Sequence, residues 1–257
     1  MTEHVKTEIG SGILTLTLAR PDKKNALTNE MYGALADALE KAETDPAIRV
    51  VLLQADGDMF TAGNDLGDFA KQSAGEGPKE RQVTRFLHGL ARASRPLVAA
   101  VQGRAVGVGT TMLLHCDLVV VAEGTLLTTP FVNLALVPEA ASSLLMPARI
   151  GYVRAFEMFA LGEPVTAENA VAWGLANRMV QASELRATAR QFAERLARQP
   201  VGALSATKKL IRHPDTLLER MNAESTVFAE RLRSAEAREA FSAFAERRPA
   251  DFSKVQG

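Results

Sequence analysis

The hydrophobic residues follow a two-residue period in the first half of the chain and a helical period in the second half. Between Ile13 and Ala19, leucines alternate with threonines, which is typical of a β-strand. The preceding stretch from Val5 to Ile9 predicts its partner in a hairpin across Gly10-Ser11-Gly12. Predominantly apolar runs predict further buried strands at 48–55, 97–101 and 117–122.

Helices are predicted where apolar residues recur every three or four positions. Thr28 is a suitable N-cap for the first of them, which is expected to end near Glu43. Two more are predicted at 79–94 and 110–115, and a segment rich in Gly, Ser and charge at 72–78 predicts a mobile loop. From Ser142 onward the chain is predicted to be almost entirely helical, apart from a short strand at 177–180.

The units of strand, glycine turn and helix recur roughly 45 residues apart, which indicates a repeated supersecondary element. With 257 residues, the chain fits one large domain, or one domain with an appended piece. These features together predict an α/β fold whose C-terminal part is helical.

Composition excludes several classes of function. The chain carries 30 basic and 30 acidic residues without a basic stripe, so no nucleic-acid partner is expected. No apolar run approaches the roughly 20 residues of a membrane span, and no secretory signal is visible, so the expected location is the cytoplasm. A lone cysteine, Cys116, excludes an internal disulfide, and no histidine or cysteine cluster has metal-ligand spacing.

Two glycine-bearing turns stand out, at 60–66 and 103–110, because each follows a predicted buried strand and leads into a possible helix start. Such a turn leaves backbone N–H groups unpaired and directed outward. Two turns that converge on one point would form an oxyanion hole, in which fixed donors stabilise a developing negative charge. The alternative is that both are ordinary turns in a strand-rich domain.

Four segments give the chain a resemblance to the crotonase (enoyl-CoA hydratase/isomerase) superfamily: 20–27, 60–66, 103–117 and the stretch that begins at Pro138-Glu139. The resemblance implies a crotonase-like spiral of ββα units over residues 1–195. It also implies a helical region over 196–257 that mediates trimer formation, and hence a homotrimer or a dimer of trimers. The implied ligand is an acyl-CoA thioester, used as substrate, with no separate cofactor and no metal.

By position in the family motif, the oxyanion donors should be the main-chain N–H groups of Asn64 and Val108. Hydratases of the superfamily add water with two glutamates, and the corresponding positions here are Thr111 and Phe131. Neither side chain can act as a general base, and Phe131 would make its side of the pocket apolar. Glu139 is therefore the remaining candidate, since its nearly uncharged surroundings would raise the pKa of its carboxyl by desolvation.

The stretch 138–143 is similar to the signature of peroxisomal-type Δ3,Δ2-enoyl-CoA isomerases, and so is 62–66 at the first turn. In those enzymes, the matching glutamate moves one proton between C2 and C4 of the acyl chain. The sequence thus favours an enoyl-CoA isomerase of fatty-acid metabolism that uses Glu139. An enoyl-CoA hydratase with Glu139 in an unusual role and a non-catalytic acyl-CoA binder remain alternatives, and Glu139 could also be a solvated or helix-capping acid.

The remaining substrate-binding candidates follow from the same resemblance. Lysines after Arg20-Pro21 are placed to meet the pantetheine–phosphate part of CoA, and a basic residue in the terminal helix is placed to reach a neighbouring subunit's CoA. Asp65 could instead cap a helix, and His115 is expected to be a structural, hydrogen-bonded histidine. The candidates are Lys23, Lys24, Ala26, Ala62, Gly63, Asp65, Leu66, Gly107, Thr111, Phe131, Phe244 and Arg247.

Overall fold

The fold is known from a computed structural model, which describes residues 2–65, 67–68 and 81–255. Two of the predictions above, the substrate-binding role of Leu66 and the mobile loop at 72–78, lie outside these described residues.

A six-stranded sheet in the order β1-β2-β3-β4-β6-β9 forms the centre of the molecule. The predicted hairpin is confirmed, because β1 pairs antiparallel with β2 and Gly10 lies opposite Ile13. All other neighbours in this sheet are parallel. The strands are β1 (Val5–Gly10), β2 (Ile13–Leu18), β3 (Val50–Ala55), β4 (Leu97–Val101), β5 (Arg104–Val106), β6 (Leu118–Ala122), β7 (Leu126–Thr128), β8 (Val165–Thr166) and β9 (Arg178–Val180).

The described helices confirm the predicted change of pattern, because most of the chain after residue 142 is helical. Thr28 is the N-cap predicted for the first helix, and its hydroxyl accepts a hydrogen bond from the Met31 N–H. The helices are α1 (Asn29–Thr44), α2 (Gln82–Arg92), α3 (Val108–Thr111), α4 (Ser142–Ile150), α5 (Tyr152–Leu161), α6 (Ala167–Ala172), α7 (Leu185–Ala197), α8 (Val201–Ile211), α9 (Pro214–Leu232) and α10 (Ala235–Ala245).

The central parallel strands β3, β4 and β6 are largely apolar because helices cover both faces of the sheet. In β3, Val51 and Leu53 point to one face and pack in the cluster that contains α1 and α2. Val50 and Leu52 point to the opposite face and pack against α7. Successive residues of a strand face opposite ways, so an uninterrupted apolar run is what burial on both sides requires.

One predicted helix is present but starts two residues earlier than expected. The segment predicted as a helix at 110–115 begins earlier, at Val108, and changes at Met112 into a 3-10 helix that ends at His115. Gly107 takes φ 55° and ψ −117°, a combination open to glycine, and this allows the helix to start at the next residue. The shift matters because it makes Val108 the first helical residue, whose N–H has no partner within the helix.

A smaller sheet in the order β5-β7-β8 lies beside the central one. Isolated bridges join Leu27 to Asn64 and Thr61 to Ala105, which places the first glycine turn beside the second. The helices α8–α10 follow, and α9 packs into the main core through Leu217 and Met221. Of the helices that the structure describes, none is both long and apolar enough to cross a membrane. The domain boundary at residue 195 stays a prediction.

Candidate active site

The first glycine turn is fixed by two buried polar side chains. Asn25 donates from its amide to the carbonyls of Asp56 and Met59, at 2.8 and 2.9 Å. The Thr61 hydroxyl donates to the Asn25 carbonyl at 2.6 Å and accepts the Gly63 N–H at 3.0 Å. Because Thr61 satisfies the Gly63 N–H, the next N–H along the turn, that of Asn64, is the one left over.

The second turn is bonded directly to the first. The Thr61 N–H donates to the Arg104 carbonyl and the Val106 N–H donates to the Thr61 carbonyl, both at 3.1 Å. Within the described residues, the N–H groups of Asn64 and Val108 make no hydrogen bond. Two neighbouring turns therefore each present one unpaired donor, the arrangement that an oxyanion hole requires.

Gly63 provides a test of this close approach. A Cβ at Gly63 would lie 2.6 Å from the Val106 carbonyl oxygen, and Gly63 has φ 88°. We expect Gly63→Ala to push the two turns apart and to lower kcat by about 10²-fold, because a misplacement of about 1 Å can cost that much. Gly174→Ala is the matched control, since Gly174 has φ 83° with nothing within 4 Å of a Cβ. Equal losses in the two variants, measured by steady-state kinetics, would contradict the expectation.

Two cavities meet at this point. The smaller has a volume of about 120 Å³ and the larger about 720 Å³, and Asn64, Asp65 and Phe228 line both. The other residues that line the smaller cavity are Leu27, Asn29, Tyr32, Asp68, Arg81, Val83, Thr84, Leu87, Glu139 and Ser225. Glu139 and the Asn64 turn thus border the same cavity.

Glu139 is partly buried and its carboxyl accepts a hydrogen bond from the Thr111 hydroxyl at 3.3 Å. Burial is the main cause that raises the pKa of this carboxyl to about 7, and the negative charge of Glu224 adds to the rise. The hydrogen bond from Thr111 and the positive charge of Arg81 both act in the opposite direction. A carboxyl with a pKa near neutrality is half ionised at the pH of the cell. It can therefore both accept and return a proton.

Tyr32, which lies on α1, contacts the first turn from inside the smaller cavity. Its phenol is buried and donates a hydrogen bond to the side-chain carbonyl of Asn64. Burial and the nearby charge of Glu139 raise the pKa of Tyr32 well above its ordinary value, so the phenol stays protonated and remains a donor. This bond fixes the Asn64 side chain and so helps to orient the turn whose N–H is unpaired.

Two other carboxylates border the smaller cavity, and both are engaged. Asp65 pairs with Arg20 at 2.7 Å and accepts the Gly67 N–H at 2.9 Å. Burial raises the pKa of Asp65, but the bonds from Arg20 and Gly67 outweigh it and the pKa falls below its usual value. Asp68 accepts the Asn29 N–H at 3.2 Å.

Most of the predicted binding residues border the larger cavity. Phe131 and Phe244 form part of its apolar wall, and Arg248 also lines it. Thr111 instead lies behind Glu139, to which it donates. The predicted residues on the wall are Ala26, Ala62, Gly63, Asn64, Asp65, Gly107, Val108, Phe131 and Phe244.

Three cationic side chains predicted to bind CoA line neither cavity. Lys24 pairs with Asp58 at 2.9 Å, and Lys23 is exposed. Arg247 is also exposed, whereas the adjacent Arg248 reaches the wall of the larger cavity and pairs with Glu239 at 2.6 Å. The role predicted for Arg247 in a neighbouring subunit stays a prediction.

Sequence reasoning missed Tyr32, Arg81, Phe228 and Glu224. Tyr32 and Phe228 are indistinguishable from core residues on the apolar faces of their helices. Glu224 had a signal, because it occupies the same helical face as Leu217, Met221 and Phe228, where an acid is unexpected.

The raised pKa of Glu139 has a consequence for stability. Because the folded-state pKa exceeds the ordinary value of 4.5, folding favours the protonated carboxyl, and stability is lost as the pH rises toward and through 7. We expect Glu139→Gln to be more stable than the wild type at pH 8, with a gain about 1–2 kcal/mol larger than at pH 5. Urea unfolding at both pH values measures this. Glu219→Gln, at an exposed position, should show no such difference, and an equal gain for Glu139→Gln at both pH values would contradict the shift.

Comparison with known proteins places the chain in a family. The sequence pattern of the enoyl-CoA hydratase/isomerase family matches residues 8–255, so the chain belongs to this family, the crotonase superfamily. It is 34% identical to the 1,2-epoxyphenylacetyl-CoA isomerase of Escherichia coli (strain K12). The alignment spans 260 residues and covers 98% of this chain and 99% of that protein.

Two further relatives extend this result. The enoyl-CoA delta isomerase 2 of Rattus norvegicus is 33% identical over 246 residues, which are 93% of this chain and 62% of that longer protein. A crystal structure of an enoyl-CoA hydratase/isomerase from Pseudoalteromonas atlantica T6c superposes with a TM-score of 0.92 at 40% identity, over 97% of this chain and 100% of that one. The predicted crotonase-like α/β fold is thereby confirmed.

Proposed function

We propose that this enzyme is a Δ3,Δ2-enoyl-CoA isomerase that converts 3-enoyl-CoA into trans-2-enoyl-CoA. Glu139 removes a proton from C2 of the acyl chain, and the electron pair moves onto the thioester oxygen. The N–H groups of Asn64 and Val108 stabilise that enolate. The carbonyl then re-forms and the electron pair between C1 and C2 moves to make the C2–C3 double bond. The C3–C4 double bond breaks, and its electron pair takes the proton back from Glu139 onto C4.

One observation carries this proposal. Among the described residues that border the smaller cavity, Glu139 is the carboxyl that has no ion pair and accepts no backbone N–H. It lies on the same cavity as the turn that carries the unpaired N–H of Asn64. A 1,3-proton shift needs one such group, because the same group takes and returns the proton. Its pKa of about 7 suits both steps.

Hydration fits the cavity less well. Adding water requires one group to activate the water and another to protonate carbon. At the two places where hydratases of the superfamily carry glutamates, this chain has Thr111, whose hydroxyl is committed to Glu139, and Phe131, which is buried. Asp65 is paired with Arg20 and Asp68 accepts the Asn29 N–H, so neither of these carboxylates on the described part of the cavity wall is available as a second proton-transfer group.

The larger cavity is proposed to hold the pantetheine arm of CoA. Its wall is mainly apolar and includes backbone of both glycine turns, which suits a chain of methylenes and amides. We also propose the predicted trimeric assembly and cytoplasmic location. The strongly exposed Tyr152, Val153 and Phe156 on α5 support an assembly of some kind, which the molar mass in solution would measure.

The experiment that tests the activity is a substrate panel. Purified protein is incubated with 3-enoyl-CoA and, separately, with trans-2-enoyl-CoA. The products are separated by liquid chromatography, and their masses are determined by mass spectrometry. An isomerase gives 2-enoyl-CoA of unchanged mass from the first substrate. Faster formation of a product heavier by one water from the second substrate would favour the hydratase, and CoA binding without turnover would favour a non-catalytic binder.

A further inference from the structure

The loop that carries Glu139 is hydrogen-bonded to a residue of the C-terminal helices. Glu224, on α9, is 7% exposed and accepts three hydrogen bonds from this loop. The Ala141 N–H donates at 2.6 Å, the Ser143 N–H at 2.9 Å and the Ser143 hydroxyl at 2.5 Å. A buried carboxylate more than 80 residues away in sequence therefore acts as the cap of α4, which begins at Ser142.

The two residues after Glu139 adopt a conformation that needs such support. Ala140 and Ala141 have φ angles of 60° and 56°, in the left-handed region. Non-glycine residues rarely adopt this conformation, so it persists only where neighbouring contacts impose it. Glu224 binds the Ala141 N–H, and these two residues set the direction in which the chain leaves Glu139.

The opposite side of the loop has its own anchor. The Ala140 carbonyl accepts a hydrogen bond from Nε2 of buried His115 at 2.8 Å, while Nδ1 of the same ring lies 3.0 Å from an Arg212 guanidinium nitrogen. Burial and the charge of Arg212 lower the pKa of His115 to about 3, so the ring is neutral with its proton on Nε2. This fulfils the expectation that His115 is structural. The Glu139 segment is thus clamped on both sides by hydrogen bonds.

The charge of Glu224 also acts on Glu139. The groups that face Glu139 are Tyr32 on α1, Arg81 before α2, Thr111 on α3 and Glu224 on α9, with Asp65 and Asp68 on the same cavity wall. Burial raises the pKa of Glu224 above its ordinary value, and the bonds from Ser143 and Ala141, which favour the ionised form, offset only part of this rise. Among the groups facing Glu139, Glu224 is the negative charge that raises the pKa of the Glu139 carboxyl.

We propose that Glu224 is a positioning residue for Glu139: its carboxylate holds the two left-handed residues after Glu139 and so directs the Glu139 carboxyl into the smaller cavity. This inference rests on the proposed role of Glu139 as the proton-transfer group. It assigns to α9 a part in catalysis without contact with the reacting atoms.

Glu224→Gln tests the inference. A glutamine keeps the shape but can present only one acceptor oxygen, so its NH₂ group would face one of the loop's donors, and the charge is lost. We expect kcat to fall by about 10–100-fold with KM changed less than about threefold. The acidic limb of the kcat/KM profile should move to lower pH, which a general loss of folded protein would not cause. Glu219→Gln, exposed on the same helix, is the matched control and should match the wild type.

Two further measurements separate the effect of the hydrogen bonds of Glu224 from the effect of its charge. Ser143→Ala removes one of the three bonds and keeps the charge, so it should lower kcat less and leave the acidic limb in place. NMR titration of ¹³C-labelled glutamate carboxyls needs no turnover, so it remains decisive even if the protein fails to isomerise enoyl-CoA. The inference predicts a carboxyl that titrates near pH 7 in the wild type and at lower pH in Glu224→Gln. An unchanged titration with an unchanged kcat would overturn it.

Discussion

Replacing Glu139 with glutamine is expected to lower kcat for isomerisation of 3-enoyl-CoA by about 10²–10⁴-fold, the usual contribution of a general acid–base group. Glutamine has nearly the same size, and its amide oxygen can still accept the hydrogen bond from Thr111. It cannot take up a proton, so the variant isolates the proton transfer from the packing. Steady-state kinetics on purified protein measures the loss.

The pH profile of the wild type accompanies this prediction. Because Glu139 must be ionised to accept the first proton, kcat/KM should rise with pH through a pKa near 7. Thr111→Ala serves as the control, since it removes the hydrogen bond that favours the charged form and keeps the carboxyl. Its acidic limb should move to higher pH. A Glu139→Gln variant with the full rate would show that another group moves the proton.

Replacing Val108 with proline is expected to lower kcat/KM by about 10²–10³-fold, the cost of removing one oxyanion donor. Val108 is the first residue of α3 and its N–H makes no bond among the described residues. Proline is favoured at the first position of a helix, and the preceding Gly107 is not helical, so the helix should still form. The ring removes the N–H and places a methylene group where the thioester oxygen is proposed to bind.

Val108→Ala is the matched control for the second prediction. It removes two methyl groups from a side chain that is 1% exposed, so some stability should be lost, but the main-chain donor remains. The alanine variant should therefore keep kcat within a few-fold of the wild type. Equal activity in the proline and alanine variants would mean that the Val108 N–H does not stabilise the transition state.

Local patterns in the sequence were sufficient to predict the six strands of the central sheet and the first helix, but not the short strands β5, β7 and β8 of the smaller sheet. An apolar run such as 97–101 has few alternatives to a buried strand, and Thr28 marks a helix start by its own hydroxyl. The start of α3 was misplaced because it depends on the backbone angles of Gly107, which residue type alone does not specify. The division of the chain at residue 195 is not visible in any local pattern.

The candidate site was predicted only in part, for a related reason. Glu139 could be singled out because its flanking residues are uncharged, which predicts desolvation. Tyr32 and Glu224 reach the site through contacts across 32 and more than 80 residues, and no local pattern records such contacts. Lys24 pairs with exposed Asp58 at 2.9 Å, and its expected contact with CoA stays a prediction.

The most direct test of the central claim follows a label through one turnover. A 3-enoyl-CoA carrying deuterium at both hydrogens of C2 is incubated in ordinary water, and the 2-enoyl-CoA formed at the earliest times is analysed by NMR. If one carboxyl takes a proton from C2 and returns it to C4, deuterium will be found at C4 of the product. If C4 carries only hydrogen from water at every pH and at the shortest times, transfer by Glu139 alone is contradicted.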